Sequence, residues 1–389
     1  MKKCRICAKP IDKSDSIILK NMPPSAQGFT KRNSKKNSSI DYFFGVCNFC
    51  CTPQILNRPV SYYKKTIRTT SLSKTLLNYR KKQFKNFISN NNLKNKKLLE
   101  VGCNKGENLK ILKKFCHKIY GIEFDKSSVE ECKKNKLRVS RFYLDSFSSK
   151  IHDRPFDAFI ILNFMEHIPN LKEFFINLKK NLNKNYVGLI EVPNFEMIKK
   201  KGLYTEIILD HLYYFSKENL SVILDKMGLS IIKKEKIFDE YILSLTVKEK
   251  HPKLIYKKKK NCDQRKFNVN DINKKLNIFQ KEINLFRQRI NNKKFIIWGA
   301  GHQSLMICSY YKLNDKVKFI IDSSKMKQNK YAPGSNIKIF NPSKLKSENE
   351  VSTILVIGGG YSKEIAQNIK NNFKSFKIYI ANKNKIINF

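Results

Sequence analysis

Short apolar runs alternate with amphipathic stretches from about residue 76 to residue 248, and this pattern predicts strands interleaved with helices. The stretch LLNYRKKQFKNFI (76–88) has the spacing of an amphipathic helix. Four apolar runs have the pattern of buried strands: KLLEVG (97–102), KIYGIEF (118–124), FDAFIILN (156–163) and YVGLIEVP (186–193). Helical stretches lie between them: ENLKILKKFC (107–116), SVEECKKN (128–135) and LKEFFINLKKNL (171–182). Strands that alternate with helices predict a parallel sheet covered on both faces.

A second alternation of the same kind fills the C-terminal part of the chain. Its predicted strands, with helices between them, are KKFIIWGAG (293–301), VKFIID (317–322), STILVIGGG (352–360) and FKIYIA (376–381). Residues 249–270 are polar and are predicted to be loop, whereas residues 271–290 carry one apolar stripe at steps of four and three residues. That stripe predicts a connecting helix that packs against a neighbouring domain.

These patterns divide the chain into four parts, and the predicted fold class is α/β multidomain. A length of 389 residues exceeds one domain, since domains usually have ~100–200 residues. Residues 1–75 are cysteine-rich and irregular, and 76–248 form the first α/β domain. Residues 249–290 form a linker and connecting helix, and 291–389 form the second α/β domain.

The chain is strongly basic, with 78 Lys and Arg against 32 Asp and Glu. The excess is spread almost evenly from Lys2 to Lys385, and the only tight run is Lys257–Lys260. A nucleic-acid surface would concentrate the charge on one element among aromatic residues. We therefore expect solvated basic faces and no nucleic-acid partner.

Two absences in the pattern indicate a cytoplasmic protein. No apolar run reaches the ~18 residues of a spanning helix. The N-terminal sequence MKKCRICAKP runs into polar residues and lacks the apolar region of a secretory signal. We therefore expect no membrane span, and the pattern does not specify an oligomeric state.

Two close pairs of cysteines lie in the N-terminal part. The residues are Cys4, Cys7, Cys47 and Cys50, each pair in Cys-x-x-Cys spacing. Such a turn lets both thiolates face one ion, and two turns complete a tetrahedron. Because four thiolates close the coordination sphere, we expect a structural Zn²⁺ rather than a catalytic one. A rubredoxin-like iron site or a chance spacing are the alternatives.

The first α/β domain begins with a glycine-containing loop after its first strand. The pattern is Glu100-x-Gly102-x-x-x-Gly106, and Glu123 ends the next strand about 20 residues later. The glycines allow a sharp turn, and an acidic side chain at that position can accept hydrogen bonds from a ribose. Dinucleotide and S-adenosylmethionine (SAM) sites both use this arrangement. The loop Gly-Cys-Asn-Lys-Gly is less suited to a pyrophosphate, which favours SAM.

The segment PFDAFIILNFMEHIPNLKEFF (155–175) completes a resemblance to the class I SAM-dependent methyltransferases, which covers about residues 95–195. The resemblance implies that the methionine part of SAM is surrounded by the following loop residues: Glu100, Gly102, Cys103, Asn104 and Gly106. It also implies that Glu123 binds the ribose, that Asp145 lies near the adenine, and that Asn163 lies below the sulfonium.

The order of domains resembles a narrower family, the sugar C-methyltransferases. The segments that carry this resemblance are NMPPSAQGF (21–29), IILDHLYYFSKENLSVILDKMGL (207–229) and FIIWGAGHQS with FIIDSSKMKQNKYAPGSNIKI in the last domain. The resemblance implies a zinc-binding N-terminal domain, a SAM-dependent methyltransferase domain and a Rossmann-like C-terminal domain that binds substrate. It implies a nucleotide-diphosphate keto-deoxysugar as the substrate.

Methylation of a carbon requires a base, because the C–H next to a ketone must lose its proton before the carbon can attack a methyl group. By the resemblance, His211 is that base and Asp210 is its acidic neighbour. A further family tyrosine matches Tyr62 or Tyr63 loosely, and we take Tyr63 as the catalytic candidate.

This chain departs from the family pattern beside the proposed base. Ile208 stands at the position of a family tyrosine and Leu209 at that of a histidine. O-methylation of a nucleotide sugar or glycan precursor, which needs only one base, is therefore the first alternative. A non-enzymatic RNA-binding protein with a SAM-like fold is the second.

The last domain has Gly299, Gly301 and His302 after its first strand, Asp322 after the next, and Tyr361 after a glycine-rich strand end. The resemblance implies that Gly299, Gly301, His302 and Tyr361 contact the nucleotide part of the substrate, rather than NAD. The alternative is that these are tight turns without a ligand.

Overall fold

The computed structural model describes residues 2–33, 38–65, 74–145, 150–250, 268–373 and 375–389. The basic run Lys257–Lys260 and most of the predicted linker lie outside these residues. The described residues form three sheets, one for each predicted domain. Among the described helices, none is both long and apolar enough to cross a bilayer.

The N-terminal part is more regular than its composition predicts. Strands β1 (Ser16–Met22), β2 (Ile40–Val46) and β3 (Pro53–Ile55) form an antiparallel sheet in sequence order. The 3-10 turns Lys13–Asp15 and Tyr63–Lys65 flank this sheet.

The middle sheet has the order β6-β5-β4-β7-β8-β10-β9. Its parallel strands are β4 (Lys97–Val101), β5 (Lys118–Glu123), β6 (Val139–Arg141), β7 (Phe156–Leu162) and β8 (Leu182–Pro193). Strands β9 (Leu229–Ile237) and β10 (Ile242–Glu249) are antiparallel and complete the sheet. The prediction of a wholly parallel sheet was therefore wrong, because the strongly charged β9 lacks the apolar run by which a buried strand is recognised.

Helices cover both faces of this sheet, as predicted. They are α1 (Lys74–Asn90), α2 (Glu107–Leu112), α3 (Lys126–Lys134), α4 (Leu171–Lys179), α5 (Phe195–Lys201) and α6 (Lys217–Lys226). The sheet has a hydrophobic core on each face, because successive residues of a strand point to opposite sides. Leu98 and Ile160 pack on one face, and Leu99 and Ile161 pack on the other. Short 3-10 turns at Met165–His167 and Tyr204–Glu206 lie on the side that faces the other domains.

The third sheet has the order β13-β12-β11-β14-β15-β16. Its strands are β11 (Phe295–Trp298), β12 (Val317–Ile321), β13 (Ile339–Phe340), β14 (Thr353–Val356), β15 (Lys377–Asn382) and β16 (Lys385–Asn388). All are parallel to their neighbours except β16. Helices α8 (His302–Tyr310) and α9 (Ser362–Asn372) follow β11 and β14, and 3-10 turns span Pro342–Ser347 and Gly359–Tyr361.

Helix α7 (Asn270–Arg289) connects the domains and buries its predicted stripe. Phe279, Ile283 and Phe286 pack in the core of the last domain. Ile272 and Leu276 join a core that also contains side chains of the N-terminal sheet and of the middle domain. We call this cluster the shared core. Its other members include Leu19 and Phe44 of the N-terminal sheet, Ile207 and Tyr214 of the middle domain, and Met306 of the last domain.

Candidate active site

A sharp turn after β4 opens a cleft at the carboxyl edge of the middle sheet. Gly102 and Gly106 have φ angles of 69° and 79°, and Asn104 between them has a φ of 48°. A Cβ at Gly102 would lie 3.0 Å from the Phe164 ring. Both the positive φ and the closeness of the ring therefore favour glycine at position 102.

Glu123, the last residue of β5, lies beside this turn. Its Oε2 accepts a hydrogen bond from the backbone N–H of Asn104 at 3.0 Å. Its Oε1 accepts from the N–H groups of Phe124 and Asp125 at 2.7 and 2.9 Å. Burial raises the pKa of this carboxyl group. Since a carboxylate has about four acceptor positions, the three bonds fix its orientation and leave one position.

The cleft has an acidic end and aromatic walls. It encloses about 380 Å³ of empty space, which includes its open mouth, and its lining includes Gly102, Glu123, Phe124, Phe142, Tyr143 and Phe164. An acidic side chain beside aromatic walls is the kind of surface that a ribose and a flat base would contact.

Lys64 of the N-terminal domain reaches into the mouth of this cleft. Its Nζ lies 2.8 Å from Oδ2 of Asp145, and 5.4 and 4.9 Å from the ring centroids of Phe124 and Tyr143. The neighbouring Tyr63 packs edge-on against Tyr143, with 5.9 Å between the ring centroids. The structure thus places the catalytic candidate Tyr63 at the rim of the cleft.

Two of the residues predicted to bind the cofactor lie beneath the loop rather than in the cleft. Glu100 is buried, and its Oε1 accepts a hydrogen bond from the Asn108 side chain at 2.9 Å. Cys103 packs in the core beside Cys132, and this contact and burial raise the pKa of its thiol. Both side chains support the loop from within the domain.

Asn163 follows β7 and adjoins Phe164 of the cleft wall. Its φ is 49°, and its backbone N–H donates to the carbonyl of Glu191 at 2.9 Å. Its Oδ1 is buried without a hydrogen-bond partner among the described residues. Buried polar atoms usually have partners, so this oxygen is available to a ligand.

His211 lies in the same region, on the segment before α6. Its ring centroid is 4.9 Å from that of His167 and 6.3 Å from that of Tyr214. Burial lowers the pKa of His211 well below its usual range, and His167 and His302 lower it further. The ring is therefore neutral at physiological pH and can accept a proton.

Asp210 is buried, and its carboxylate faces the N-terminal domain. Oδ2 accepts a hydrogen bond from the Ala26 N–H at 2.8 Å, and Oδ1 accepts from the Tyr62 hydroxyl at 2.6 Å. Burial, together with the charge of Asp210, raises the pKa of Tyr62. Both carboxylate oxygens are thus used by the N-terminal domain. Tyr62, which the sequence matched only loosely, is the tyrosine at Asp210.

Glu166 and His167 form the floor beneath His211. Nδ1 of His167 donates to the Asp210 carbonyl oxygen at 2.7 Å, which leaves Nε2 as an acceptor. Burial raises the pKa of Glu166 to about 8. The loop that carries these two residues therefore fixes the backbone at Asp210, directly before His211.

Comparison with known proteins shows the family to which this chain belongs. A family model described as "Methyltransferase domain" matches residues 74–234, and one described as "C-methyltransferase C-terminal domain" matches residues 256–380. A Pelagibacter ubique protein named "Ubiquinone biosynthesis O-methyltransferase" is 30% identical over 167 residues, which cover 42% of this chain and 67% of that protein. The chain belongs to the SAM-dependent methyltransferases.

A Rickettsia typhi protein of the same name is 25% identical over 134 residues, or 33% of this chain. The methyltransferase described here spans only about half of that relative, 53% of its length. Among solved structures, the magnesium protoporphyrin IX methyltransferase of Synechocystis PCC 6803 is 14% identical with a TM-score of 0.37, covering 46% of this chain and 89% of that one. The N-methyltransferase NodS of Bradyrhizobium japonicum WM9 is 14% identical with a TM-score of 0.33, covering 45% and 98%.

The described residues fit SAM at the cleft of the methyltransferase domain. Gly102 leaves space where a Cβ would press on Phe164, Glu123 retains an acceptor position, and Asn163 offers an unpartnered buried oxygen. The aromatic rings of Phe124 and Tyr143 suit a flat base. When bound, SAM supplies a methyl group on a positively charged sulfur.

The C-terminal domain of the methyltransferase presents its predicted binding loops at one edge of its sheet. Gly299 has a φ of 109°, and a Cβ there would lie 2.5 Å from the Ile357 carbonyl oxygen, so the loops after β11 and β14 touch. A Cβ at Gly301 would meet nothing within 4 Å. Tyr361, on the second loop, is exposed. His302, at the start of α8, has its Nε2 2.7 Å from Oε2 of Glu206 in the methyltransferase domain.

Asp322 supports the first of these loops. It accepts hydrogen bonds from the Ala300 and Ser324 N–H groups at 2.7 and 2.8 Å, and pairs with Lys327 at 3.2 Å. The ammonium neutralises the carboxylate, so Asp322 is a structural ion pair.

The four predicted metal-ligating cysteines come together in the N-terminal domain. Their Sγ atoms all lie within 4.8 Å of one another; the Cys4–Cys50 distance is 3.5 Å and the Cys7–Cys47 distance is 3.4 Å. Tetrahedral zinc with Zn–S bonds of ~2.3 Å requires sulfurs about 3.8 Å apart. The Ile6 N–H donates to Cys4 Sγ at 3.3 Å, which would offset thiolate charge. The donor set therefore fits Zn²⁺.

The cysteine cluster is joined directly to the segment that carries His211. The Ile55 N–H donates to the Leu212 carbonyl at 3.1 Å, and the Tyr214 N–H donates to the Pro53 carbonyl at 2.9 Å. Gln54, between them, donates to Cys4 Sγ at 3.2 Å. Strand β3 thus holds the residues after His211 through an antiparallel bridge between Gln54 and Tyr213. No local sequence pattern could have indicated this contact.

Proposed function

We propose that this methyltransferase transfers a methyl group to a carbon atom of a nucleotide-diphosphate keto-deoxysugar, with His211 as the base. The observation that carries the proposal is the environment of His211. It is a neutral, half-buried imidazole where the N-terminal sheet, the methyltransferase domain and the C-terminal domain meet. The match of the last domain to a C-methyltransferase model supports a carbon acceptor.

The chemistry requires a base that is uncharged before the reaction. A ketone acidifies the neighbouring C–H, and His211 would remove that proton to give a carbon nucleophile. The low pKa of His211 keeps its ring unprotonated at neutral pH. Asp210 acts through the backbone: its carboxylate, held by Ala26 and Tyr62, fixes the position of the adjacent His211.

The remaining assignments follow from the same arrangement. SAM would be held by Gly102, Glu123 and Asn163. Phe164 of the cleft wall lies two residues before Glu166, so one loop borders both the SAM cleft and the His211 site. The loops with Gly299, Gly301 and Tyr361 would receive the nucleotide part. The cysteine cluster with zinc would fix strand β3 and, through it, the segment of His211.

The test is incubation of the purified protein with methyl-labelled SAM and a panel of nucleotide-diphosphate keto-deoxysugars, followed by NMR of the product. We expect a new C–CH₃ group and incorporation of solvent deuterium at the carbon beside the ketone. A panel without methyl transfer or deuterium incorporation would refute the proposal.

O-methylation of a nucleotide sugar is the second candidate. The curated relatives named above are O-methyltransferases, and Ile208 removes a tyrosine of the C-methylating pattern. In that case the same experiment would give an O–CH₃ signal, and no deuterium would enter beside a ketone.

A further inference from the structure

The contact between the methyltransferase and C-terminal domains brings a further histidine to the region of His211. His302 is the first residue of α8, at the carboxyl end of β11. Its Nε2 pairs with Oε2 of Glu206 at 2.7 Å, and the Gln303 side chain donates to Oε1 of the same carboxylate. The histidine and its partner thus come from different domains.

Glu206 favours the protonated form of the His302 ring. Burial alone would lower the pKa of His302, but the Glu206 carboxylate outweighs it and raises the pKa, while Asp210 adds to the rise and Lys327 opposes it. A protonated imidazole carries a hydrogen on each nitrogen. Nε2 donates to Glu206, and no described residue accepts a hydrogen bond from Nδ1. One charged N–H donor therefore remains.

This donor is accessible and close to the proposed base. The His302 side chain is 39% exposed, whereas its partner Glu206 is 19% exposed. His302 is near enough to His211 to lower the pKa of that ring. The pair with Glu206 holds His302 against the segment that ends in His211, five residues after Glu206.

The other polar hydrogens around His211 are already used. The Tyr62 hydroxyl donates to the Asp210 carboxylate, and Nδ1 of His167 donates to the Asp210 carbonyl. The Tyr214 hydroxyl donates to the Ile208 carbonyl at 3.3 Å. The side chain of Ile208 offers no hydrogen at all. Among these side chains and His302, only His302 retains a charged donor.

We propose that His302 is a second catalytic residue, whose Nδ1–H donates a hydrogen bond to the substrate ketone oxygen while His211 removes the neighbouring proton. The inference rests on the proposed function. Glu206 is a positioning residue, because it acts only through His302. The donor would come from the C-terminal domain, so that the reaction requires both domains in contact.

The electron balance of the step needs no further reactant. A ring nitrogen of His211 takes the proton, the C–H electron pair becomes the new C=C bond, and the carbonyl π pair moves onto oxygen. His302 keeps its proton but shares it with this oxygen, where the negative charge develops. Donors placed at such an oxygen stabilise the transition state more than the ground state.

The test uses the nucleotide-diphosphate keto-deoxysugar that the wild-type protein methylates, and follows deuterium exchange beside the ketone by NMR with S-adenosylhomocysteine present. Loss of one such donor typically lowers the rate roughly 10²–10³-fold. We expect His302→Ala to lower both exchange and kcat by this factor, with SAM affinity unchanged. His152→Ala, which removes an almost fully exposed histidine, is the control and should exchange like wild type.

A His302→Ala protein that exchanges at the wild-type rate would overturn the inference while the proposed function stands. A wild-type protein that neither exchanges nor methylates any keto sugar would instead refute the proposed function.

Glu206→Gln provides a second readout that does not require loss of the histidine. The active form carries a charged His302, so the rate falls as the pH rises through the pKa of this residue. Without the negative charge of Glu206, that pKa is lower, and the fall should occur at lower pH. If His302→Ala does not fold, an unshifted pH profile of Glu206→Gln overturns the inference.

Discussion

At the scale of single residues, no carboxylate of the described residues hydrogen-bonds to the His211 ring, although Asp210 precedes it and a Glu166 oxygen lies within 4.8 Å of a ring nitrogen. The Asp210 carboxylate is held by Ala26 and Tyr62, and its carbonyl oxygen by His167. The basicity of His211 is therefore set by burial and by two neighbouring histidines, rather than by an acidic partner. The consequence is a base that stays unprotonated into mildly acidic solution.

His211→Ala should abolish most methyl transfer and leave cofactor binding intact. General-base catalysis contributes typically 10²–10⁴-fold, and we expect a fall of roughly this size in kcat. In the wild type, activity should persist below pH 6.5, because the lowered pKa keeps the neutral ring populated there. Rate profiles against pH and calorimetry with SAM measure the two effects.

His152→Ala is the control, because this histidine is almost fully exposed. Full turnover by His211→Ala would remove the residue from the mechanism. A rate that already falls when the pH is lowered from 8 to about 7 would contradict the lowered pKa of His211.

The placement of Gly102 and Glu123 at one cleft could be predicted because their signal is local. Gly102, Gly106 and Glu123 lie within one strand–loop–helix–strand unit, where spacing alone fixes their relative positions. The contacts Tyr62–Asp210 and His302–Glu206 join residues 148 and 96 positions apart. No periodicity relates such residues, since only the packing of whole domains brings them together. For the same reason the sequence favoured Tyr63 as the catalytic candidate, whereas Tyr62 contacts Asp210.

At the scale of elements, the turn Tyr63–Lys65 connects the two parts of the site. Tyr62, just before it, contacts Asp210, whereas Tyr63 and Lys64 contact the rim of the SAM cleft. The Lys64 ammonium pairs with Asp145, the residue that the family pattern places at the adenine. A ligand in the adenine position must therefore compete with this ion pair.

Lys64→Met should strengthen SAM binding. Methionine retains the apolar stem and removes the charge that occupies the mouth of the cleft. Because partly exposed ion pairs contribute at most about 1 kcal/mol, we expect Kd to fall by up to ~5-fold. Isothermal titration calorimetry at two salt concentrations measures the change, and the gain should shrink at high salt.

Lys250→Met is the matched control, since it removes the Lys250–Asp225 ion pair of similar exposure outside the cleft lining. It should leave SAM affinity unchanged. Weaker binding by Lys64→Met would mean that the ammonium contacts the cofactor rather than excluding it.

Strand prediction succeeded where apolar runs are continuous and failed where they are not. The buried parallel strands β4, β5, β7 and β8 coincide with the predicted runs. The hairpin of β9 and β10 was missed because β9 is an edge strand with an exposed lysine-rich centre. Edge strands are commonly charged, which prevents pairing with other chains and removes the apolar signature.

At the scale of the whole molecule, the shared core joins all three domains. Leu19 and Phe44 of the N-terminal sheet, Tyr214 of the methyltransferase domain, and Met306 of the C-terminal domain pack in one cluster. This core lies directly behind the segment of Asp210 and His211. Changes in one domain should therefore reach the active site through packing.

The cysteine cluster should hold about one zinc ion per chain, as measured by inductively coupled plasma mass spectrometry. Removal of the metal by a chelator should lower the thermal midpoint, because structural zinc contributes directly to folding free energy. Hydrogen exchange at residues 212–214 should also rise, since β3 is fixed at one side by this cluster.

Cys4→Ser should reduce zinc content, whereas Cys308→Ala, a buried thiol of α8 outside the cluster, should retain it. A well-folded protein with far less than one zinc per chain would contradict the metal assignment.

The pairing of β3 with residues 212–214 also constrains how the chain is made. The outer edge of β3 finds its partner only when about 160 further residues have been synthesised, which takes on the order of 10–30 s at usual rates of translation. During that interval the nascent chain presents an unpaired strand edge. Biogenesis of this protein therefore has a vulnerable period that ends when the strand-pairing segment beside the base has been synthesised.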